Sequence, residues 1–403
     1  MMFDLNKFIS DYVTKRPGSM FLEDLQQNQE KMQNKIQGKT VLVIGGAGSI
    51  GSSFIKAVLP YEPRSMVVAD LNENALTELT RELRSSGSIH LPEDYVTYPM
   101  DYASRVFSKM FRARNGFDIV ANFSAHKHVR SEKDIYSIEA LLYNNVINAK
   151  KLLDLLSEFP PEEYFCVSTD KAANPVNIMG ASKRIMEDLI FSYSEKFPVK
   201  TARFANVAFS NGSLPEGFLK RIEKRQPLSA PYDVKRYFVS PEESGQICLL
   251  SCILGENREI FFPKLEEECM MSFDKIAVEL LRQKGFEPLY CTSEGDAREK
   301  VELMPGESRQ YPVYFSQSDT SGEKQFEEFF TEEEKVNFHR FHSLGVVEGK
   351  ASKNINEIET WIQKLEQLFA GRETKKEEVV TLIKNYLPNF EHVETGKSLD
   401  AKM

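Results

Sequence analysis

Residues 39–52 read KTVLVIGGAGSIGS, in which an apolar strand runs through a glycine-rich turn into a helix. The glycines follow a G-x-x-G-x-x-G spacing. Small residues let the backbone approach a pyrophosphate, whose charge is stabilised by free N–H groups at the start of the helix. The stretch therefore predicts a dinucleotide-binding loop. The residues of this turn expected to contact the cofactor are Gly45, Gly48, Ser49, Ile50 and Gly51.

Strand-like and helix-like stretches alternate after this turn. The predicted strands are 40–44, 65–70, 96–101, 118–125, 164–170 and 199–207, with 259–264 as a later one. This order predicts right-handed βαβ units and an α/β fold: a Rossmann-like, doubly wound parallel sheet with a smaller C-terminal substrate-binding region. The expected divisions are a helical N-terminal extension (1–38), an NAD-binding domain (39–205), a substrate-binding region partly interleaved with the sheet (206–345) and a helical C-terminal tail (346–403).

The composition of the 403-residue chain excludes several classes of function. Its formal net charge of −9 argues against general nucleic-acid binding, which needs a basic surface. The five cysteines form no C-x-x-C pair and the six histidines are scattered, so no metal site is expected. No stretch approaches the roughly 18 apolar residues of a membrane span. Acidic residues interrupt the N-terminus, which argues against a signal peptide, and we expect a cytoplasmic protein.

Other cofactor contacts are expected where later strands end. Asp70 ends the second predicted strand, where its carboxylate can bind a ribose 2′-hydroxyl and repel a 2′-phosphate, which favours NAD over NADP. It could instead cap the helix that follows. Asp101, after the third strand, is placed to accept a hydrogen bond from the adenine amine. Ser124 and Ala125, at the end of the fourth strand, are expected at the same edge of the sheet.

The fifth predicted strand leads into a candidate catalytic segment. Short-chain dehydrogenases place a Tyr-x-x-x-Lys pair here, one helical turn apart, so that the lysine lowers the pKa of the tyrosine. Lys183 has this spacing, but Met179 occupies the tyrosine position and a thioether cannot take a proton. Asp170 and Lys171, side by side at the strand end, form an acid–base pair or an ordinary ion pair.

The segment VSTDKAANPVNIMGASK (167–183) closely resembles the UDP-N-acetylglucosamine 4,6-dehydratase group, extended short-chain dehydrogenases of surface-polysaccharide biosynthesis. Some members of that group carry methionine at the position of Met179. The resemblance covers roughly residues 39–264 and resumes around 321–330, with an apparent insertion between. The other segments that agree in order are VLVIGGAGSIGS, NFSAHKHVRSEK, ARFANVAFSNGS, KRYFVSPEES, EIFFPK and SGEKQFEEFF.

The resemblance implies a mechanism in which NAD takes a hydride from carbon 4 of the sugar and returns it to carbon 6. Lys171 removes the carbon 5 proton, and Asp170 protonates the departing 6-hydroxyl. Thr169 hydrogen-bonds the 4-hydroxyl, and Lys183 anchors the cofactor ribose. Met179 leaves the base for the 4-hydroxyl proton open, with Asp170, or Lys183 through a water, as candidates.

The resemblance also places a nucleotide-sugar substrate near later segments. Asn206 can bind a phosphate or the sugar, a polar turn at 210–212 can cradle a diphosphate, and a guanidinium matches phosphate geometry. Glu323 and Lys324 correspond to a family motif and can contact substrate or serve only loop structure. The residues expected to bind substrate are Lys127, Asn206, Ser210, Asn211, Gly212, Arg236 and Lys264.

Three alternatives stay open. A nucleotide-sugar 4-epimerase or 4-oxidoreductase usually keeps the tyrosine, so Met179 counts against it. A 4,6-dehydratase can invert carbon 5: EIFFPK resembles inverting members, whereas Met179 resembles retaining ones. A non-catalytic NAD-binding regulator would fit a lost tyrosine, but intact Asp170, Lys171 and Lys183 argue against it. Extended short-chain dehydrogenases commonly pair through helices, so we expect a homo-oligomer.

Overall fold

The computed structural model describes residues 3–128, 132–318, 327–371 and 373–392. Glu323 and Lys324 lie outside these ranges. The strands, in chain order, are β1 Thr40–Ile44, β2 Ser65–Asp70, β3 Asp94–Pro99, β4 Ile119–Asn122, β5 Glu163–Val167, β6 Val199–Ala202, β7 Asn206–Val207, β8 Leu228–Pro231, β9 Lys235–Arg236, β10 Phe238–Val239, β11 Glu259–Pro263, β12 Met271–Ser272, β13 Glu287–Tyr290, β14 Gln310–Ser316, β15 Val336–Asn337 and β16 Leu344–Val347.

Helices lie between most of these strands. The α-helices are α1 Leu5–Phe8, α2 Leu22–Gln27, α3 Gln29–Ile36, α4 Ser49–Val58, α5 Glu73–Ser85, α6 Arg105–Ala113, α7 Ile135–Leu142, α8 Asn148–Leu156, α9 Ile178–Ser192, α10 Leu214–Glu223, α11 Pro241–Leu254, α12 Phe273–Gln283, α13 Glu294–Glu302, α14 Ile355–Phe369 and α15 Lys376–Tyr386. Ile9–Thr14 and Tyr143–Ile147 are π-helical, and Leu59–Tyr61, Asp170–Ala172 and Glu267–Cys269 are 3₁₀ turns. No helix within the described ranges is long and apolar enough to cross a membrane.

The main sheet has nine strands in the order β15-β16-β11-β6-β5-β4-β1-β2-β3. From β11 to β3 every neighbouring pair is parallel, and β16 and β15 add an antiparallel edge. The chain order reverses beside β1, which lies between β4 and β2. In such sheets ligands bind at the carboxyl ends of the strands next to this reversal. The predicted α/β class with a Rossmann-like parallel sheet is confirmed.

The central strands form because they are apolar on both faces. Val41, Leu42, Val43 and Ile44 of β1 are all buried, as expected where helices cover both sides of a parallel sheet. Helix α5 contributes Leu76, Leu79 and Leu83 at helical spacing to the same core.

Several predicted boundaries were wrong. The sixth predicted strand (199–207) stops at Ala202, and Asn206–Val207 forms a separate strand that pairs with β10. A single helix was expected around 138–159, but the π-helical turn Tyr143–Ile147 separates α7 from α8. Helix α6 was not predicted, although Phe107 and Phe111 are one turn apart and buried.

A second apolar cluster lies beside the main core. The three-stranded sheet β13-β14-β8 and helices α10 and α12 build it, with Phe218, Leu280 and Tyr311 among its buried residues. Phe8, Ile9 and Val13 of the N-terminal extension belong to the same cluster. The extension therefore packs on the body of the chain.

Candidate active site

A cleft of about 910 Å³ opens at the carboxyl ends of the central strands, between the main sheet and the second cluster. It brings together nearly all the residues that the sequence singled out. Those that line it are Gly45, Gly48, Ser49, Ile50, Gly51, Asp70, Ser124, Ala125, Lys127, Thr169, Asp170, Lys171, Met179, Lys183, Asn206, Ser210, Asn211, Gly212 and Arg236. The predicted residues outside its lining are Asp101 and Lys264.

The glycine loop is shaped for close approach. Gly45 has φ +71°, and a Cβ there would meet the backbone nitrogen of Ser124 at 2.7 Å, so no other residue fits without strain. Gly48 precedes α4, and no side chain caps the first turn of that helix. Uncapped N–H groups at a helix start favour an anion such as a pyrophosphate.

Asp70 holds the loop from the neighbouring strand. Its carboxylate accepts hydrogen bonds from the backbone N–H of Ala47 at 3.0 Å and of Asn72 at 2.9 Å. The alternative role as helix cap belongs to Asn72 instead, whose side chain accepts from Ala75 at the start of α5. Asp70 thus remains at the cleft, beside the loop, as a ribose ligand would.

Two predicted site residues are placed elsewhere. The Asp101 carboxylate accepts from the backbone N–H of Ala103 at 2.8 Å and shapes the turn before α6. The Lys264 ammonium donates to backbone carbonyls of Phe338, Phe341 and His342, near the antiparallel edge of the main sheet. All three hydrogen bonds of this ammonium go to backbone carbonyls, and Lys264 does not line the cleft. The expectation that Lys264 contacts substrate is therefore corrected.

A buried asparagine, missed in the sequence, fixes the edge after β4. Asn145, in the π-helical turn, accepts from the backbone N–H of His126 and donates to the His126 carbonyl, both at 2.9 Å. It also donates to Ser182 of α9 at 3.0 Å. The sequence gives no signal for Asn145; in the structure the widened helical turn marks it, since such turns often occur at functional sites. Beside it Lys127 lines the cleft, and burial lowers its pKa.

Asp170 and Lys171, predicted side by side after β5, are in contact. The Lys171 ammonium contacts both carboxylate oxygens of Asp170, at 3.0 and 3.1 Å. The Thr169 hydroxyl donates to the same carboxylate at 2.7 Å. Asp170 is buried, while the Lys171 side chain keeps 28% of its exposure. These three side chains line one wall of the cleft, so they can act on the same bound molecule.

Helix α9 carries Met179 and Lys183 one turn apart. The backbone N–H of Met179 donates to the Glu132 carboxylate at 2.9 Å, and Asn177 caps the helix. The buried Lys183 ammonium donates to the Val167 carbonyl at 3.0 Å, and burial lowers its pKa. Both residues line the cleft, as the sequence spacing predicts.

The residues expected to bind substrate line the far side of the cleft. The backbone N–H of Asn211 donates to the Ser49 hydroxyl at 2.9 Å, which ties this turn to the start of α4. The Gly212 N–H donates to Glu216 at 3.1 Å. Arg236, on β9, is buried and donates to the Lys235 carbonyl at 2.8 Å.

Glu327 lines the same cleft and was missed in the sequence. Its carboxylate accepts from the Asn206 side-chain amide at 2.6 Å and from the Tyr237 N–H at 2.7 Å. Burial raises the pKa of Glu327 to about 8, and the charge of Asp170 pushes it in the same direction. Glu327 therefore lines the same cleft as Asp170 and Lys171 and is near enough for the charge of Asp170 to act on its pKa, although it lies more than 150 residues away in sequence.

A buried ion cluster lies next to the segment that carries Thr169, Asp170 and Lys171. Arg203, fully buried at the end of β6, pairs with Glu187 of α9 at 2.7 Å and with Glu334 at 2.6 Å. Lys350 pairs with Glu334. The Ser168 hydroxyl donates to Glu187 at 2.6 Å, which links the cluster to the residue before Thr169. The cluster fixes where the candidate catalytic segment leaves the sheet.

Comparison with known proteins identifies the family of the chain. A family model described as "Polysaccharide biosynthesis protein" matches residues 41–348. The chain belongs to that family. The match spans both the glycine loop and Glu327, so one family pattern covers all the parts of the cleft described above.

Relatives of this family member include proteins with and without an assigned activity. An uncharacterized membrane protein of Methanocaldococcus jannaschii is 30% identical over 79% of the chain and 88% of its own length. The probable polysaccharide biosynthesis protein EpsC of Bacillus subtilis is 29% identical over 73% of the chain and 48% of its own length. A Campylobacter jejuni protein named UDP-N-acetylglucosamine 4,6-dehydratase (inverting) is 27% identical over 57% of the chain and 67% of its own length.

Solved structures share the fold of this family member. Pen from Bacillus thuringiensis superposes with a TM-score of 0.63 at 19% identity, covering 82% of the chain and 98% of Pen. DesIV, a dTDP-glucose 4,6-dehydratase of Streptomyces venezuelae solved with NAD bound, gives a TM-score of 0.51 at 18% identity, over 69% of the chain and 88% of DesIV. These likenesses support the Rossmann-like architecture.

The described residues fit a nicotinamide dinucleotide. The loop around Gly45 leaves room only for backbone, the first turn of α4 is uncapped, and Asp70 stands beside both. Across the described ranges, no three His, Cys, Asp or Glu side chains come together in a way that could hold a metal ion.

Proposed function

We propose that the protein is an NAD-dependent nucleotide-sugar 4,6-dehydratase. It would convert UDP-N-acetylglucosamine, or a similar nucleoside-diphosphate hexose, to the 4-keto-6-deoxy sugar for surface-glycan biosynthesis. One observation carries the proposal: a dinucleotide-type glycine loop and the Asp170–Lys171 pair line a single cleft. The Campylobacter relative named as such a dehydratase supports the reaction class.

The Asp170–Lys171 pair can hold and move one proton. When the proton lies on the Asp170 carboxyl, Lys171 is a free amine, and the two groups are 3.0 Å apart. In that form Lys171 takes the proton from carbon 5 and Asp170 gives its own to the departing 6-hydroxyl. The Thr169 hydroxyl, which donates to Asp170, would orient the 4-hydroxyl.

NAD, when bound, supplies the hydride acceptor and donor for carbon 4 and carbon 6. The glycine loop would hold the pyrophosphate of NAD, and Asp70 and Lys183 would each bind one of its riboses. Ser124 and Ala125, which follow β4, would contact the side of the cofactor that faces this strand. The Asp70 carboxylate favours NAD over NADP, because it would repel a 2′-phosphate.

The far side of the cleft would bind the nucleotide-sugar. Arg236 and Lys127 offer positive charge for a diphosphate, and the turn at 210–212 offers backbone N–H groups. Asn206 would contact the phosphate or the sugar. On this proposal residues 206–345 are the substrate-binding region, while a cytoplasmic location and a homo-oligomeric state stay predictions.

A nucleotide-sugar 4-epimerase is the nearest alternative, since relatives at 25–27% identity are named UDP-glucose 4-epimerase. Such an enzyme uses a proton-carrying side chain where this chain has Met179. Met179 is buried with 2% of its surface exposed, and its thioether has no proton to exchange. We therefore favour dehydration.

Mass spectrometry of the purified protein with UDP-N-acetylglucosamine tests the proposal, and loss of one water from the sugar is expected. Lys171→Ala should lower the rate by about 100-fold or more, because the carbon 5 base is gone, while NAD binding persists. Lys364→Ala, an exposed lysine of α14, should match the wild type. An unchanged substrate across several nucleoside-diphosphate hexoses, with NAD bound, would favour the non-catalytic regulator.

The same reaction in heavy water, followed by proton NMR, decides the stereochemistry. The product should carry a keto group at carbon 4 and deuterium at carbon 5. The configuration at carbon 5 then separates the retaining enzyme, which Met179 favours, from the inverting one, which EIFFPK favours.

A further inference from the structure

In the proposed dehydration, the residues assigned so far provide no acceptor for the proton that leaves O4. The reaction removes protons from O4 and from carbon 5, and it returns protons to the departing 6-hydroxyl and to carbon 5. The Asp170–Lys171 contact carries one proton between its two groups, which serves the transfer from carbon 5 to the leaving oxygen. The O4 proton needs a second group, and Met179 cannot be that group.

Most other carboxylates at the cleft have structural partners. The Asp70 oxygens accept from two backbone N–H groups of the glycine loop and of the turn after β2. Glu216 pairs with Lys220 and accepts from Gly212. Glu328 accepts from the side-chain amide of Asn174. Glu327 also accepts two hydrogen bonds, but one comes from Asn206, which is expected on the substrate side, and the other from the backbone N–H of Tyr237 beside Arg236.

We propose that Glu327 stores the proton released from the 4-hydroxyl, and that Asp170 passes this proton to it. This inference rests on the proposed dehydratase function. Glu327 acts through Asp170 and is therefore a positioning residue of the acid–base centre. It takes over the role that a tyrosine at position 179 fills in ordinary short-chain dehydrogenases.

The step balances. The O4–H bond breaks, its proton moves to Asp170 as the proton that Asp170 carried moves to the Glu327 carboxylate, and the C4–H electron pair leaves with its hydrogen to the hydride acceptor of the proposed function. After the loss of water, Lys171 returns a proton to carbon 5, and the stored proton moves from Glu327 back to Asp170. Glu327 is then a carboxylate again.

The charges around Glu327 allow its carboxylate to take up and release a proton near neutral pH. Burial raises its pKa to about 8, and Asp170 adds to the rise, whereas Lys171, the Tyr237 N–H and Arg236 lower it. A carboxylate with this raised pKa holds a proton more tightly than an ordinary one, so transfer toward it is favourable. Because Glu327 must be deprotonated to accept the proton, oxidation at carbon 4 should speed up as the pH rises through about 8.

Glu327→Gln tests the inference, because glutamine keeps the shape and one acceptor oxygen but cannot store the proton. We expect 4-keto product formation to fall by about 100-fold and its rise with pH to disappear. Exchange of the carbon 5 proton of added 4-keto-6-deoxy product with heavy water should stay within a few-fold of wild type, since Asp170 and Lys171 suffice for it. Glu333→Gln, an exposed neighbour, should behave as wild type.

A second readout does not depend on turnover. The infrared absorption of a protonated carboxyl should titrate near pH 8 in the wild-type protein and be missing from Glu327→Gln. An unchanged pH profile, equal loss of product formation and carbon 5 exchange, or no such carboxyl band would each overturn the role of Glu327. A wild type that shows the band but makes no 4-keto product would instead overturn the proposed dehydratase function.

Discussion

At the scale of single residues, Asp70 sets the expected cofactor preference. Its two oxygens already accept from Ala47 and Asn72, so the carboxylate stands fixed beside the glycine loop. In Asp70→Asn the negative charge is lost. We expect NAD binding to weaken by roughly 10-fold or more, as for a lost hydrogen bond to a charged group, and NADP binding to strengthen. Titration calorimetry with each dinucleotide measures both.

Glu73→Gln is the control for that substitution, because it removes an exposed carboxylate from the first turn of α5. It should leave both affinities unchanged. Equal weakening of NAD and NADP in Asp70→Asn would show that Asp70 serves only the geometry of the loop.

Local chemistry explains which site residues the sequence could reveal. The glycine loop and the Asp170–Lys171 pair are each made of residues close together in the chain, so the sequence pattern could predict that they lie at the cleft. Glu327 reaches the same cleft only through the tertiary fold, and its surroundings in sequence are ordinary glutamates. Lys264 was misplaced because the strand end that carries it faces the carbonyls of residues 338–342 instead of the cleft.

At the scale of elements, the ion cluster joins β6, α9 and the segment before β15. Arg203 donates to both oxygens of Glu334, and Lys350 contacts the same carboxylate. In Glu334→Gln two buried cations lose a shared partner. We expect the free energy of unfolding to fall by about 3–5 kcal/mol, whereas the exposed neighbour substitution Glu333→Gln stays within about 0.5 kcal/mol. Urea unfolding measures both.

The same cluster predicts a pH dependence of stability. Burial alone would raise the pKa of Glu334, but Arg203 and Lys350 outweigh it and hold that pKa well below its ordinary value. A depressed pKa stabilises the fold above the pKa of the unfolded carboxyl, about 4.3, and this contribution is lost as the pH falls below it. Stability of Glu334→Gln should therefore fall less steeply with acid, and equal slopes would contradict the role of the cluster.

The order of strands and helices was readable because each βαβ unit has its own hydrophobic period. The antiparallel edge was not, since Leu344–Val347 pairs with β11 across about 80 residues of chain and carries no local sign of its partner. The π-helical turn also escaped prediction, because Asn145 lies inside an otherwise regular helical pattern and its partners come from the segment after β4 and from α9.

At the scale of the whole molecule, the N-terminal extension supports the substrate side of the cleft. Arg16 forms two hydrogen bonds with the buried carboxylate of Glu243, at 2.8 and 2.6 Å, and donates to the Phe238 carbonyl at 2.9 Å. Phe238 lines the cleft, and both Phe238 and Phe8 belong to the second cluster. The extension thus bridges the start of α11 and the wall that carries Arg236.

Arg16→Ala tests this support at both ends. Glu243 would keep only backbone partners for a buried charge, so we expect a loss of about 3–5 kcal/mol in the free energy of unfolding. The dissociation constant for the nucleotide-sugar should rise several-fold while that for NAD stays the same, because the glycine loop lies on the other side of the cleft. Lys7→Ala, an exposed residue of the same extension, should change neither quantity. An equal rise in the dissociation constants for both ligands would instead mean that the extension stabilises the molecule as a whole and does not specifically support the cleft wall that carries Arg236.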